Sequence, residues 1–328
     1  MIDLRYPISA YAEVGEDLDE VERQLRSVLQ SDTPLVTALA RHPLDGGGKR
    51  LRPALALLGG RFWRAEERER VIGLATAVEL IHMATLVHDD IVDRSTQRRG
   101  KETVNARWGD RMAVLTGDYL FGCAFTLVAR WGTRAVIDSL SRCVMEMAKG
   151  EILQFQRTTT GRFVGTEADY LEWIDRKTAL FIAESAQMGA MAAGAPEALV
   201  VPLWRYGRAL GLCFQIIDDL LDLTAPPERT GKPTGSDLRN GVITLPVIHA
   251  LRESGERGRL LAILRDGRSE ESIREAVGIL ERAGSLEYAT SRAASFAAAA
   301  CRELESLPDI PARRALAEIA DHLLHRTH

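Results

Sequence analysis

The stretch ELIHMATLVHDDIVD, residues 79–93, is a run of apolar side chains at helical spacing that ends in the pentapeptide Asp89-Asp90-Ile91-Val92-Asp93. A second stretch, LGLCFQIIDDLLD, residues 210–222, has the same arrangement and ends in Asp218-Asp219-Leu220-Leu221-Asp222. A helix turns about 100° per residue and rises about 6 Å over four, so the first and last aspartates of each copy share a face. Carboxylates held that close repel and raise one another's pKa. A hard cation relieves the repulsion, and all-oxygen ligation with no nearby Cys suits Mg²⁺. Mg²⁺ is commonly shared between a few carboxylates and the phosphates of a substrate, so the pair points to a diphosphate held between two helices. A lone DDxxD is more often a solvated helix face. Two copies, each led in by a core-like run, argue against that reading.

Outward from these motifs the helical spacing continues. Val71 to Val87, Met112 to Ala129, Ala135 to Phe155 and Ala179 to Ala193 all carry it, and the alanine-rich stretch Ala293 to Ala300 reads as a close-packed helix. Val242-Ile243-Thr244 is the best strand signal, and Pro246 cuts it short. The spacing predicts an all-α chain of about a dozen helices. A length of 328 residues alone would fit two domains, but the acidic motifs lie in opposite halves and must meet. One domain spanning 1–328 is therefore expected.

Composition excludes several classes. A formal net charge of −4 and a pI near 6.0 leave no electrostatic footprint for nucleic acid. Cys123, Cys143, Cys213 and Cys301 are scattered without CxxC spacing and read as reduced core thiols of a cytoplasmic protein. Residues 1–7, MIDLRYP, lack the charged-then-apolar order of a signal peptide. No uncharged apolar run reaches membrane-spanning length, so no transmembrane segment is expected. Of 42 basic residues only Lys49, Lys101, Lys149, Lys177 and Lys232 are lysine. Such rare lysines are candidates for positions where a compact ammonium is required.

Irregular, basic, glycine-bearing segments lie beside the motifs. They are GGGKRLRP at 46–53, RSTQRRGK at 94–101, and the stretch from Thr224 to Pro246 with Gly231, Lys232, Pro233 and Gly235. GGGK is not a P-loop: Pro43 stands where its first glycine belongs, and Arg50 where Ser or Thr is required.

With these segments in view, the chain resembles the trans-polyprenyl diphosphate synthases over nearly its whole length. The carrying motifs are GGGKRLRP at 46–53, ELIHMATLVHDDIVDRSTQRRG at 79–100, GLCFQIIDDLLDLT at 211–224 and GKPTGSDLRNGVITLP at 231–246. WGDRMAVLTGDY at 108–119 and the ending from Leu307-Pro308 to Arg326 make it most similar to the catalytic component (component II) of bacterial heptaprenyl- or hexaprenyl-type synthases. The resemblance implies the isoprenoid synthase fold, an antiparallel helical bundle around a central apolar cavity with the acidic motifs across its mouth. It implies three Mg²⁺ ions per active site, Asp89 and Asp93 holding two and Asp218 the third, with Asp90, Asp219 and Asp222 flanking. Arg98, Lys177 and Lys232 would hold the diphosphate of the allylic substrate. Lys49, Arg52, His82 and Arg99 would hold that of isopentenyl diphosphate. Thr178 and Gln215 would sit near the reacting carbons. A homodimer is implied, or a heteromer with a small regulatory subunit.

The implied reaction ionises an allylic diphosphate, farnesyl or geranylgeranyl. The double bond of isopentenyl diphosphate attacks the cation, and a proton is lost, to the released pyrophosphate by resemblance. The product is an all-trans allylic diphosphate one isoprene unit longer, destined for a quinone side chain. Product length is expected to depend on Ala84, its neighbour Thr85, and Ile81, which precede Asp89; small residues there leave room for a medium or long chain.

Rival readings fare worse. A class I terpene cyclase would carry an Asn/Asp-Ser/Thr-Glu motif in place of the second DDxxD. A non-catalytic partner subunit would lose one acidic motif, and a di-iron bundle would need Glu-x-x-His on two helices. For the lone His82 on an apolar face, and for a solvated Lys49 or a capping Gln215, the structural alternative stays open at this stage.

Overall fold

The computed structural model describes residues 8–160, 165–225, 234–266 and 269–325, which are all-α apart from one short hairpin. In chain order the helices are α1 (Ile8–Val28), α2 (Pro34–Asp45), α3 (Leu51–Gly60), α4 (Arg68–Val92), α5 (Val104–Trp108), α6 (Asp110–Trp131), α7 (Arg134–Thr160) and α8 (Glu167–Ile174). They continue with α9 (Leu180–Ala192), α10 (Glu197–Thr224), α11 (Ser236–Arg239), α12 (Leu245–Glu253), α13 (Arg257–Asp266), α14 (Glu270–Arg282), α15 (Ser285–Leu304) and α16 (Pro311–Leu324). Short strands β1 (Gln97–Arg98) and β2 (Lys101–Glu102) pair antiparallel. The excess over a dozen comes from short helices that no periodicity window detects. Val242 to Thr244 forms no strand; it is the irregular lead into α12, whose first turn takes Pro246.

The chain forms two compact units. The first comprises Met1–Ser141, Glu184–Trp204 and Leu304–Ile319. Val14, Leu18, Val21 and Leu25 of α1 and the adjoining Leu29 fall three or four residues apart and are all buried, so α1 lays one apolar stripe on its neighbours. Helix α4 is different: from Val71 to Ala84 it is buried almost all round, which makes it the central helix of this unit, packed against α3, α1 and α6. Glycines permit one close crossing, since a Cβ at Gly189 of α9 would lie 1.7 Å from the Ala56 carbonyl oxygen of α3.

The second unit comprises Arg142–Ala183, Arg205–Glu303 and Ala320–His328. Its apolar cluster joins Leu223, Leu238, Val247, Leu251, Leu260, Ile263, Ile273, Ile279 and Leu280. Leu223 follows Asp222 directly and Leu238 follows Asp237, so burying the two leucines anchors the chain beside both acids. Thr166 and Asp169 form a capping box that starts α8. Helix α8 then runs without a break through a π turn, Asp175–Ala179, into α9.

Among the described residues two helical stretches, Ala65–Val92 and Asp110–Trp131, are by length and composition apolar enough to cross a membrane, which a search for uncharged runs overlooks. The first is 78 % buried inside the protein, as a core helix is; the second is only 39 % buried. Val114, Leu115 and Phe125 on α6 are accordingly exposed.

Candidate active site

In the first unit the site begins where α4 ends. Ser95 N–H donates to the Asp90 carbonyl (2.8 Å) and Arg94 N–H to that of Ile91 (3.1 Å), with Arg94 at φ 52°. This is a Schellman closure with arginine in the left-handed position that glycine usually takes. It stops the helix just after the acidic motif, leaving Asp89 half-buried and Asp93 exposed. Asp90 turns inward: it is buried, and its Oδ1 accepts from Arg98 Nε (2.9 Å) and Nη2 (2.8 Å). Arg98 lies on β1, and the turn after it, Arg99-Gly100, has positive φ at both residues, as a tight two-residue hairpin requires. Arg99 Nη1 donates to the Gly47 carbonyl, tying this hairpin to the glycine loop before α3.

That loop is held from below. Arg50, also left-handed at φ 51°, sends its guanidinium inward to Glu79 of α4 (Nη1 to Oε1, 3.0 Å) and to Glu22 of α1. Glu79 is 4 % exposed. Burial pulls the arginine's pKa down, but the Glu79 and Glu22 carboxylates outweigh it and the net direction is up. Two residues on, Arg52 Nη1 lies 3.1 Å from His82 Nε2. A guanidinium offers no acceptor, so His82 Nε2 accepts and the proton sits on Nδ1. Burial, then the charges of Arg52, Arg99, Arg98 and Arg50, push the His82 pKa well below its usual 6.5. Arg50, Arg98, Arg99 and His82 border a solvent-open cleft of about 560 Å³, which His42, Glu79 and Asp90 also line. Glu79 and Glu22 match the charge of Arg50, and Asp90 that of Arg98; with the imidazole neutral, the positive charge of Arg52 and Arg99 favours an anion. Lys49 is half-buried in the same loop.

A pH effect follows. The folded-state pKa of His82 is depressed, so the unfolded chain binds the extra proton first. Its contribution to stability is fully present above about pH 6.5 and is lost as pH falls below that. Unfolding free energies measured from pH 8 to 5 should show an acid slope that is shallower in His82→Asn; equal slopes would refute the assignment.

In the second unit, α10 carries the second motif. Asp218 is exposed, whereas Asp219 is buried. Asp219 Oδ2 accepts from the Tyr170 hydroxyl (2.6 Å) and Oδ1 from Gln215 Nε2 (2.8 Å). Gln215 Oε1 in turn accepts from Thr178 Oγ1 (2.7 Å). Burial and the neighbouring Asp237 push the Asp219 pKa up, against the Tyr170 and Gln215 hydrogen bonds that pull it down. Burial and the Asp219 charge push the Tyr170 phenol well above 10, so it stays a donor. Asp222 does structural work: its Oδ2 accepts the Asp237 N–H (3.1 Å) and its carbonyl the Gly235 N–H (2.7 Å).

Thr178 and Lys177 lie in the π turn, an irregularity often found at functional sites. A Cβ at Gly211 would lie 2.5 Å from Ala179 Cα, so only glycine lets α10 come close enough for Gln215, one turn on, to reach Thr178. Lys177 Nζ contacts Glu151 Oε1 (2.7 Å) and Gln154 Oε1 (2.8 Å) of α7. Lys232 falls outside the described residues.

Among the described residues no three His, Cys, Asp or Glu side chains cluster as a ready-made metal cage. The donor chemistry fits Mg²⁺: half-buried Asp89 and exposed Asp93 in the first unit, and exposed Asp218 in the second, offer hard oxygen ligands of the kind Mg²⁺ takes one or two at a time beside substrate phosphates. Sequence reasoning missed Glu22, Arg50, Glu79, Tyr170, Glu151 and Gln154. Glu79 alone had a visible signal, as a carboxylate inside the unbroken apolar run of α4, where a charge must be paired.

Of the expected product-length residues, Ala84 and Ile81 are fully packed (0 % exposed), whereas Thr85 is half-buried with its hydroxyl donating to the His82 carbonyl (2.8 Å).

Residues 33–280 match the polyprenyl synthetase family model. The chain is 38 % identical to heptaprenyl diphosphate synthase component 2 of Geobacillus stearothermophilus, over 97 % of this chain and 98 % of that one. It is also 38 % identical to geranylgeranyl diphosphate synthase of Methanosarcina mazei, over 88 % and 89 %. Among solved structures it superposes on polyprenyl synthase from Caulobacter crescentus, complexed with calcium and isoprenyl diphosphate, with a TM-score of 0.91, 36 % identity and 98 % coverage of both chains. The fold is thus the all-α isoprenoid synthase fold, a bundle of long helices.

Proposed function

Because this chain belongs to the polyprenyl synthetase family of trans-prenyltransferases, we propose that it builds a medium- or long-chain all-trans polyprenyl diphosphate. Condensation of isopentenyl diphosphate with an allylic diphosphate is its activity. Identity does not select the product, since relatives of equal identity carry heptaprenyl and geranylgeranyl in their names. The proposed length rests on Ala84 and Thr85, the small residues before Asp89. The observation that supports the substrate reading is the cleft that Arg50, Arg98 and Arg99 line together with a neutral His82.

In the proposed division of labour, Lys49, Arg52, His82 and Arg99 grip the diphosphate of isopentenyl diphosphate. Arg98, aimed by Asp90, joins Lys177 and Lys232 on the allylic diphosphate. Asp89, Asp93 and Asp218 would hold Mg²⁺, three ions per site, which neutralise charge on the departing diphosphate. Pairing of Lys177 with Glu151 and Gln154 keeps its ammonium oriented before substrate arrives. The apolar face of α10 around Ile216 and Ile217 helps exclude water from the allylic cation. The allylic C–O bond breaks first, the double bond of isopentenyl diphosphate then attacks the allylic cation to form the new C–C bond, and the proton lost goes to the released pyrophosphate. We read residues 1–328 as one synthetase domain of a cytoplasmic enzyme that pairs as a homodimer through the exposed apolar face of α6, Val114, Leu115 and Phe125. A small second subunit is the alternative, favoured by the relative named as a component 2.

Incubating the purified chain with farnesyl diphosphate, labelled isopentenyl diphosphate and Mg²⁺, then sizing the dephosphorylated products, tests the reading. A ladder well past farnesyl that EDTA abolishes is expected. A stop after one or two additions would refute the long-chain product, and no product would refute self-sufficiency. Thr85→Phe should shorten the ladder, because Thr85 is the accessible member of the three. Ala84→Phe should in addition cost about 1–3 kcal/mol of stability through overpacking at a fully buried position. An unchanged ladder in Thr85→Phe would exclude this wall as the length determinant.

A further inference from the structure

We propose that Tyr170 is a positioning residue for the condensation, acting through Asp219 to keep the Gln215 amide oxygen turned toward Thr178. The inference rests on the proposed function, which puts Thr178 and Gln215 beside the reacting carbons, and it adds a residue that touches neither substrate nor metal in that scheme.

The geometry is a closed chain of donors and acceptors. Tyr170 and Asp219 are 1 % and 3 % exposed, so water does not compete for their bond. Asp219 accepts once from each side: from Tyr170 at Oδ2 and from Gln215 Nε2 at Oδ1. A primary amide has one donating end and one accepting end. Once its NH₂ is committed to Asp219, its oxygen must face the other way, where Thr178 Oγ1 donates to it at 2.7 Å.

Gln215 and Asp219 stand one turn apart on α10, so they cannot orient each other against the rest of the protein. The fixed reference comes from the facing helical run: Tyr170 in α8 holds one end of the pair and Thr178 in the π turn the other. An amide oxygen has two lone pairs, and Thr178 uses one. The second leaves the negative end of the amide dipole available to a developing allylic cation; a flipped amide would present N–H and oppose it.

The experiment compares the wild-type chain with Tyr170→Phe, which deletes one oxygen and preserves the ring. Expected is a fall in kcat of about 10-fold to 100-fold, with both diphosphate KM values and the Mg²⁺ activation concentration within about twofold of wild type. A structural role alone would not separate kcat from KM and Mg²⁺ dependence in this way. The second readout needs no turnover: the side-chain NH₂ signal of Gln215 in ¹⁵N-labelled protein, assigned by its loss in Gln215→Leu. Slow solvent exchange of that NH₂ in the wild type and fast exchange in Tyr170→Phe are expected. Unchanged kcat, a raised Mg²⁺ requirement, or unchanged NH₂ exchange would each overturn the inference. If the wild-type chain makes no product, the proposed function fails first, while the NH₂ exchange still decides whether Tyr170 orients the amide.

Discussion

Asp89→Ala should lower kcat/KM by about 10³-fold or more while leaving thermal stability almost untouched. A cation that stabilises the leaving diphosphate is worth several kcal/mol, and each ~1.4 kcal/mol is tenfold in rate, so losing an aspartate that holds it costs about three orders of magnitude. Stability is spared for separate reasons. Asp89 is half-buried on the last turn of α4, and its part in closing the helix is played by its backbone carbonyl, which accepts from the Asp93 N–H at 2.8 Å. Removing a carboxylate from a helix C-terminus is, if anything, favourable to the dipole. The adjacent Asp90 should behave differently: Asp90→Asn loosens Arg98, raising the allylic KM more than it lowers kcat. Steady-state kinetics at varied Mg²⁺, beside melting curves, separates the two. An Asp89→Ala enzyme retaining a tenth of wild-type activity would contradict the metal assignment.

The largest stability effect should come from Glu79→Leu. Glu79 and the Arg50 side chain are 5 % and 12 % exposed, and their contact joins α4 to the residue that opens α3. Truncating one partner strands the other's charge in a low-dielectric site, which typically costs about 3–5 kcal/mol. Glu22, 32 % exposed, still touches Arg50 and brings the expectation to the lower end, about 3 kcal/mol. The double variant Arg50→Met/Glu79→Leu should regain a good part of that loss, because replacing both charges by packed apolar groups leaves nothing stranded. It should nevertheless keep a raised KM for isopentenyl diphosphate, since Arg50 sits between Lys49 and Arg52 and pins the loop that carries them. Denaturant unfolding of the two single variants and the double gives the coupling directly. A double variant as unstable as the sum of the singles would show that the pair is not coupled.

Much of the site was legible before folding was considered. The acidic motifs stand out by residue type and spacing alone, whereas the proposed roles of Arg52, Arg98, Arg99 and Lys177 follow from the resemblance of the segments that carry them. The scarcity of lysine was a weaker guide. It drew notice to Lys177, yet Lys149 makes an exposed pair with Glu146, and Lys101 ties the Asp45 carbonyl. What escaped are contacts between residues far apart in sequence. Arg50 meets Glu22 and Glu79 across 28 and 29 positions, and Tyr170 meets Asp219 across 49. Neither separation leaves a periodic trace.

The π turn illustrates the same divide. Periodicity places Ala179 to Ala193 in a helix, and α9 follows, but the extra residue that widens the turn at Asp175–Ala179 leaves no mark in composition.

By itself the sequence determined the all-α class, the positions of both acidic motifs and the anionic ligand, since each depends on residue type at short range: 3.6-residue spacing, adjacent carboxylates, clustered guanidiniums. Tertiary structure alone decided which aspartates turn inward. Asp90 and Asp219 occupy equivalent places in their motifs, yet one is claimed by an arginine and the other by a phenol and an amide. A buried carboxylate must find donors, and which donors it finds depends on the helices that pack against it.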